Sequence, residues 1–149
     1  MTDLLYLDYN CFQRGFDDLT QTRIKMEAIA CQEIFTQAER NKVTLIWSFM
    51  HQDETLLCPF PQRKYAVLAM ANVCQVKIPP QIEIAELAKS FQQQSKLSSK
   101  DAIHVAAAEY IKADFFLTCD DNLIKQGLKL NLQIAIMNPI HYIKRSSNE

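Results

Sequence analysis

The sequence predicts an α/β protein, a three-layer α/β/α sandwich with a mainly parallel central sheet. Two observations favour this class. Short β-branched or apolar runs alternate along the chain with longer segments of helical periodicity, an order typical of parallel strands joined by crossover helices. The 149 residues, 48% of them hydrophobic, also suffice for one sizeable core. We therefore expect a single domain that spans residues 1–149.

The first half of the chain begins with a buried strand at Leu4–Leu7, an apolar run that ends at Asp8. Apolar residues recur at helical spacing over Thr22–Glu39, which predicts the first long helix. Val43–Trp47 is β-branched and aromatic and predicts a second strand. Arg63–Val73 follows two prolines and predicts another helix.

The second half continues the alternation of strands and helices. Gly127 lies directly after one of the predicted helices, where a glycine in the left-handed conformation commonly ends a helix. The predicted strands are Gln75–Ile78, Phe115–Thr118 and Gln133–Met137, and the predicted helices are Ile82–Gln94, the alanine-rich Ser99–Lys112 and Asp121–Gln126. We expect the last residues, Lys144–Glu149, to fray.

Composition excludes several classes of protein. The 16 basic and 17 acidic residues give a net charge of −1, so there is no overall basic field that would draw the chain onto nucleic acid. The longest apolar run, Ala66–Ala71, is too short to cross a bilayer. The first residues lack the basic start and apolar stretch of a secretory signal, so a soluble cytoplasmic protein is expected. With two glycines the chain has no phosphate-binding glycine loop.

The five cysteines are scattered along the sequence and contain no C-x-x-C pair. Their odd number and spacing are typical of small buried thiols in a reducing compartment. The sequence therefore predicts neither disulfide bonds nor a zinc site.

Carboxylates follow the predicted strands where ligands commonly bind. In an open parallel sheet, ligands bind outside the carboxyl ends of the strands. Asp8 follows the first strand, and Asp120 follows Phe115–Thr118. Asp101 opens a helix, and Glu54 comes shortly after the second strand. We expect these four side chains to converge at one end of the sheet.

Each acid taken alone also has a purely structural interpretation. Asp8 can begin a turn, Asp101 can complete a capping box with Ser98, and Asp120 can cap the next helix. Glu54 can lie on a solvated helical face. Their joint placement favours a site, because two carboxylates ~4 Å apart repel by ~4 kcal/mol at an effective dielectric constant of 20. Four such groups must take up protons or bind a hard cation, for which oxygen ligands select magnesium, manganese or calcium.

Three segments resemble the PIN-domain family of nucleases, which includes the VapC-type toxins of bacterial toxin–antitoxin systems. Leu4–Phe12 (LLYLDYNCF) is similar to the opening strand of the family and its D-x-N motif. Lys100–Leu123 is similar to its C-terminal signature, an Asp at a helix start followed by an apolar strand and [ST]-x-D. Leu45–Glu54 is similar to the region that carries the second acid. The resemblance spans nearly the whole chain and implies a PIN-like fold.

The resemblance also implies roles for individual residues. Asn10 would support the first acid, Thr118 would supply the hydroxyl before the last acid, and Asp121 would stand at the position of an additional acid. The middle acid is either Glu54 or its neighbour Asp53. The catalytic and metal-binding acids implied are Asp8, Glu54, Asp101 and Asp120.

The function implied is an endoribonuclease that depends on Mg²⁺ or Mn²⁺ and hydrolyses RNA phosphodiester bonds. The resemblance further implies the toxin of a toxin–antitoxin pair, with a cognate antitoxin protein as partner. A homodimer is expected because dimers are the commonest assembly of soluble proteins. Two alternatives stay open: a catalytically inactive PIN-like binding module and, ranked last, a receiver-like phospho-acceptor domain.

Four further residues have both a functional and a structural interpretation. His104 lies three residues after Asp101, on the same helical face, where it can contact a bound water or phosphate. Packing in the core is the favoured interpretation for His104. Arg14, Lys100 and Lys125 lie near the acids in sequence and are either phosphate contacts or solvated charges.

Overall fold

The computed structural model describes residues 2–147 and contains a five-stranded sheet in which every strand pairing is parallel. The strands are β1 (Asp3–Leu7), β2 (Val43–Ser48), β3 (Val76–Ile78), β4 (Phe115–Leu117) and β5 (Ala135–Met137). Their order across the sheet is β3-β2-β1-β4-β5, so β1 is central. The predicted α/β class and parallel sheet are confirmed.

Eight α-helices connect and cover the strands in residues 2–147. They are α1 (Tyr9–Gln13), α2 (Thr22–Glu39), α3 (Phe49–Leu56), α4 (Pro61–Met70), α5 (Ile82–Gln94), α6 (Ser99–Tyr110), α7 (Asp121–Gly127) and α8 (Pro139–Ser147). Short 3-10 turns extend α1 and α4, over Arg14–Phe16 and Ala71–Val73.

The sheet separates two hydrophobic clusters, which gives the three predicted layers. Side chains alternate along β1 because successive residues of a strand point to opposite faces. Tyr6 packs in the cluster with α5 and α6, whereas Leu5 and Leu7 pack in the cluster with α1 and α2. All three β1 side chains are fully buried. The central strand thus fixes its carboxyl end, at Asp8, between the two helical layers.

Three helices are absent from the sequence prediction because each starts with little or no intervening loop. α1 begins directly after β1, capped by Asp8, whose side chain accepts from the amide of Tyr9. α3 follows β2 without a turn and is closed by a capping box between Ser48 and His51. α8 packs against α2 and continues to Ser147. The predicted fraying from Lys144 is therefore wrong as far as Ser147, and Asn148 and Glu149 lie outside the described residues.

Gly127 does not end its helix in the left-handed conformation, and that prediction is wrong. No glycine has a positive φ, and Gly127 is the last residue of α7. A Cβ atom placed there would lie 2.5 Å from Cδ1 of Ile136. Any larger residue there would make the end of the Ile136 side chain move, so Gly127 reflects the close packing of α7 against β5.

Candidate active site

Asp8 and the segment after β4 meet because β1 and β4 are parallel neighbours. The amide of Asp8 donates to the carbonyl of Leu117 at 2.8 Å, and Thr118 Oγ1 donates to Asp8 Oδ2 at 2.7 Å. The amide of Asp120 donates to the same hydroxyl oxygen at 3.1 Å. Asp8 and Asp120 therefore lie at one edge of the sheet, as the sequence predicts.

Asn10 holds this edge together through both ends of its side-chain amide. Its Nδ2 donates to Asp8 Oδ2 at 3.1 Å and to Thr118 Oγ1 at 3.3 Å. Its Oδ1 accepts from the amide of Cys119 at 3.2 Å. Asn10 and Thr118 thus contact the first acid, at the positions that the resemblance implies.

Asp101 reaches the same edge from the first turn of α6. Ser98 caps that helix by accepting from the amide of Asp101 at 3.1 Å. Asp120 likewise caps α7, accepting from the amides of Asn122 and Leu123. Asp120 therefore caps its helix and still keeps lone pairs free for a ligand. At Asp101 only the amide takes part in capping, so the predicted capping box with Ser98 is half formed within residues 2–147.

Bringing carboxylates together at this edge makes their ionised forms less favourable. Burial raises the pKa of Asp8, and the negative charge of Asp101 adds to that rise. His104 and the hydrogen bond from Thr118 act in the opposite direction. Burial also raises the pKa of Asp101, with added contributions from Asp120 and Glu54. Among residues 2–147, no salt bridge includes Asp8, Asp101 or Asp120. We call Asp8, Glu54, Asp101 and Asp120 the acidic edge.

Glu54, on α3, belongs to this edge through His104. Glu54 Oε1 lies 2.5 Å from His104 Nε2, and the ring is almost fully buried. His104 Nδ1 lies 2.6 Å from the Tyr6 hydroxyl. The neighbouring Asp53 is exposed, so the geometry favours Glu54 over Asp53 as the fourth acid. His104 is buried, as expected for packing, but it also has a polar role that the sequence analysis ranked second.

A series of hydrogen-bonded polar side chains continues from His104 into the buried core. The Tyr6 hydroxyl lies 2.8 Å from Ser48 Oγ, and His51 Nδ1 accepts from the amide of Ser48 at 2.9 Å. His51 Nε2 donates to the carbonyl of Leu7 at 2.6 Å. Burial lowers the pKa of His51, which keeps the ring neutral and matches this pattern of one donor and one acceptor nitrogen.

The sequence did not predict this series of hydrogen-bonded side chains, although it contains one signal of it. Ser48 and His51 have the spacing of a helix capping box directly after a strand. That spacing predicts the start of α3 and places one face of the helix against the end of β1. The partners of Tyr6 were not predictable, because they lie 42 and 98 residues away in sequence.

The remaining candidate residues from the sequence do not join the four acids. Asp121 is exposed and makes a two-bond ion pair with Arg23 of α2, at 2.6 and 2.8 Å, so its partner lies outside the acidic edge. Arg14 pairs with Asp17 and Glu27. Lys125 is exposed on α7. Lys100 is exposed beside Glu54, where both line a cleft of about 490 Å³.

The four carboxylates are gathered, but they do not form a tight cage. In residues 2–147 no three of their ligand atoms lie within 4.8 Å of one another. The group that meets this spacing consists of three cysteines, Cys11, Cys31 and Cys119. These three thiols are buried and unbridged, as predicted. Their meeting was not predicted, and it arises because the fold brings α1, α2 and the β4–α7 turn together.

Comparison with known proteins identifies the fold. No family model and no curated protein matches the sequence. Among solved structures, FitAcB from Neisseria gonorrhoeae superposes with a TM-score of 0.61 at 15% identity, over 92% of this chain and 99% of that chain. The fold is PIN-like. VapBC2 from Rickettsia felis, solved bound to a DNA fragment from its promoter, gives a TM-score of 0.60 at 10% identity over 91% and 98% of the two chains.

The PIN-like fold accounts for where the acids stand in this chain. β1 ends directly before Asp8, and β4 ends three residues before Asp120. Helices α3 and α6 bring Glu54 and Asp101 to the same edge. Within the described part of the chain, no helix is long and apolar enough to span a membrane.

Proposed function

We propose that the protein is a ribonuclease that depends on Mg²⁺ or Mn²⁺ and cleaves RNA phosphodiester bonds at the acidic edge. The observation that carries this proposal is the convergence of four carboxylates without a basic side chain paired to any of the three aspartates. Carboxylates that raise one another's pKa are stabilised by a bound cation.

The donor set fits a hard divalent cation. All candidate ligands are carboxylate oxygens, which suit Mg²⁺ and Mn²⁺. Mg²⁺ commonly keeps several waters and uses one or two carboxylates directly, so the wide spacing of the acids suits a hydrated ion. Asp8, Asp101 and Asp120 would hold the cation, directly or through water, with Glu54 completing the site. When bound, such an ion lowers the pKa of a water molecule and stabilises charge on phosphate oxygens.

The protein's own side chains would fix the acids in place. Thr118 and Asn10 hold the Asp8 carboxylate from two directions, which restricts its rotamer. His104 holds Glu54 in the same way and is itself anchored by Tyr6. Such supporting hydrogen bonds orient ligands and typically contribute 10–100-fold to metal affinity or activity.

The cleft beside Glu54 supplies features that suit a nucleic-acid strand. Lys100 and Arg63 line it and carry the positive charge that attracts phosphates. The guanidinium carbon of Arg63 lies 5.2 Å from the centre of the Phe60 ring, and that ring is exposed. An exposed aromatic ring offers a stacking surface for an unpaired base. Single-stranded RNA is therefore the proposed substrate.

We further propose that the chain acts as the toxin of a toxin–antitoxin pair and forms a homodimer. The fold-level similarity to FitAcB and VapBC2 supports the first part. Exposed apolar residues of α2, Met26 and Ile29, form a groove of about 350 Å³ with Ile140 and Ile143 of α8. Such a surface suits a protein partner.

The test is cleavage of a labelled single-stranded RNA with added Mg²⁺, Mn²⁺ or chelator, with single-stranded DNA of the same sequence alongside. Cleavage of the RNA should require the divalent ion. Asp8→Asn should reduce the rate by about 100-fold or more, because a ligand to the ion is worth several kcal/mol in the transition state. Glu86→Gln, which removes an exposed carboxylate of α5 outside the cleft and the acidic edge, is the matched control and should cleave normally.

Full activity in chelator or in Asp8→Asn would overturn the proposal. Calorimetric titration with Mn²⁺ gives a second readout on the same proteins. A folded protein that takes up no Mn²⁺ and cleaves no RNA would instead support the catalytically inactive binding module.

A further inference from the structure

Three cysteine side chains from distant parts of the sequence form one compact group, here called the sulfur cluster. Cys11 lies on α1, Cys31 on α2 and Cys119 in the turn between β4 and α7. Their sulfur atoms all lie within 4.8 Å of one another. The three residues are 2%, 3% and 6% exposed, so the cluster is closed to solvent.

A positive charge lies against this cluster. The guanidinium group of Arg14 interacts with Cys119 while it pairs with Asp17 at 2.8 Å and Glu27 at 3.1 Å. Burial raises the pKa of Cys11. Against this effect of burial, the Arg14 guanidinium favours the thiolate form of the nearest sulfur, and the thiolate is the form that binds metals.

We propose that Cys11, Cys31 and Cys119 form a three-sulfur binding site for a soft, thiophilic metal ion, with Cu(I) as the best fit. Thiolate sulfur selects soft ions such as Cu(I) over the hard ions that carboxylates prefer. An ion about 2.3 Å from each of three sulfurs in one plane requires the sulfurs to be about 4 Å apart. The observed spacing meets that requirement with small side-chain adjustments.

The number of ligands distinguishes Cu(I) from zinc. Structural zinc sites take four protein ligands in a tetrahedron, and catalytic zinc sites keep a fourth position open to water. In the described chain no fourth His, Cys, Asp or Glu joins the cluster, and burial leaves no open position for solvent. Cu(I) is stable with three sulfur ligands, so the cluster suits it better than Zn²⁺.

The site is independent of the proposed nuclease function, since it uses none of the four acids. An ion there would tie α1, α2 and the β4–α7 turn to one another. Ligand binding to the folded state alone raises thermal stability by mass action. The expected consequence is a more stable protein, with the position of the acidic edge largely unchanged.

The test is an anaerobic titration of the reduced full-length protein with Cu(I), in the presence of a competing Cu(I) chelator. We expect one Cu(I) per chain, an ultraviolet thiolate-to-copper charge-transfer band and a rise in Tm of about 5–10 °C. A large excess of Mg²⁺ should not displace the ion. Zn²⁺ should bind at least 100-fold more weakly than Cu(I).

Single substitutions test which cysteines bind the Cu(I) ion. Cys31→Ala and, separately, Cys119→Ala should each lose the band and at least 100-fold in Cu(I) affinity. Cys74→Ala is the matched control, because Cys74 is equally buried in the same core but lies outside the cluster, and it should bind as the wild type does. Asp8→Asn should also bind Cu(I) normally. Using two ligand variants keeps the test valid if one of them fails to fold.

Several results would overturn the proposal. Reduced wild-type protein that binds no Cu(I) would show that the cluster is packing only. Cu(I) binding that survives both Cys31→Ala and Cys119→Ala would place the ion elsewhere. Zn²⁺ binding as tight as Cu(I), with Co²⁺ spectra typical of a tetrahedral site, would contradict three-coordination. A disulfide within the cluster in freshly isolated protein, with no Cu(I) affinity after reduction, would identify a redox pair instead.

Discussion

The acidic edge and the sulfur cluster take residues from the same two segments but have opposite surroundings. Asp8 precedes Cys11 by three residues, and Cys119 directly precedes Asp120. The three aspartates form no salt bridge among the described residues, and Asp101 and Asp120 are partly exposed. The sulfurs are buried and lie against Arg14.

The difference shows how one pair of strand ends can serve two kinds of chemistry. An oxygen-rich edge that is open to water favours a hydrated hard cation. A dry group of sulfurs favours a soft ion that sheds its water. Asn10 connects the two regions, because it donates to Asp8 and accepts from the amide of Cys119. Three predictions test how far the regions are separate, beginning with Asn10.

Asn10→Ala should have the largest effect, because it removes contacts on both sides. The substitution removes the oxygen that accepts from the Cys119 amide. It also removes the NH₂ group that donates to Asp8 and Thr118, so these two side chains are less restrained. We expect a loss of about 1–3 kcal/mol in the free energy of unfolding, measured by urea denaturation in chelator. RNA cleavage should fall by about 10–100-fold. Asn138→Ala is the control, because it removes a half-buried amide that bonds to Glu27 and to none of the four acids. Unchanged cleavage in Asn10→Ala would show that the edge does not depend on Asn10.

Two substitutions of His104 should separate its two contacts. Asn places a polar atom near the ring Nδ1 position and loses Glu54, whereas Gln places one near Nε2 and keeps it. We therefore expect His104→Asn to reduce cleavage by about 10-fold and to raise the Mg²⁺ concentration needed for half-maximal rate. His104→Gln should be less affected. Both variants should bind Cu(I) as the wild type does. Equal losses in the two variants would contradict a positioning role through Glu54.

Asp101→Asn should have the smallest effect, an increase in the stability of the metal-free protein at neutral pH. Burial and the charges of Asp120 and Glu54 raise the folded-state pKa of Asp101. Its stabilising contribution is therefore complete below the unfolded pKa of about 4 and is lost as the pH rises through the raised folded pKa. Asp101→Asn removes the ionisable group, so the variant does not lose this stability as the pH rises.

Thermal unfolding in chelator at a series of pH values measures the effect. Because Asp101 is partly exposed and screened by solvent, we expect a Tm gain of only about 1–3 °C at pH 7, shrinking to nothing near pH 4. Added Mg²⁺ should reverse the order, since the wild type then gains a bound cation. A Tm difference that does not change with pH would show that Asp101 carries no electrostatic cost.

Much of the candidate site could be predicted from the sequence because it depends on local rules. The residue after a buried parallel strand lies at the edge of the sheet, which places Asp8 and Asp120. Ser98 and Asp120 cap helices in the way that their positions predict. The fold class followed from the alternation of strand and helix patterns, which depends on the chemistry of neighbouring residues.

Only the tertiary structure decided which distant side chains meet. Glu54 contacts His104 across 50 residues of sequence, and this contact separates Glu54 from Asp53. The sulfur cluster and the approach of α7 to Ile136 at Gly127 depend equally on how helices pack on the sheet. Helix capping and hydrophobic periodicity act within a few residues and can be recognised in the sequence, whereas packing distances and long-range side-chain hydrogen bonds depend on the whole folded core.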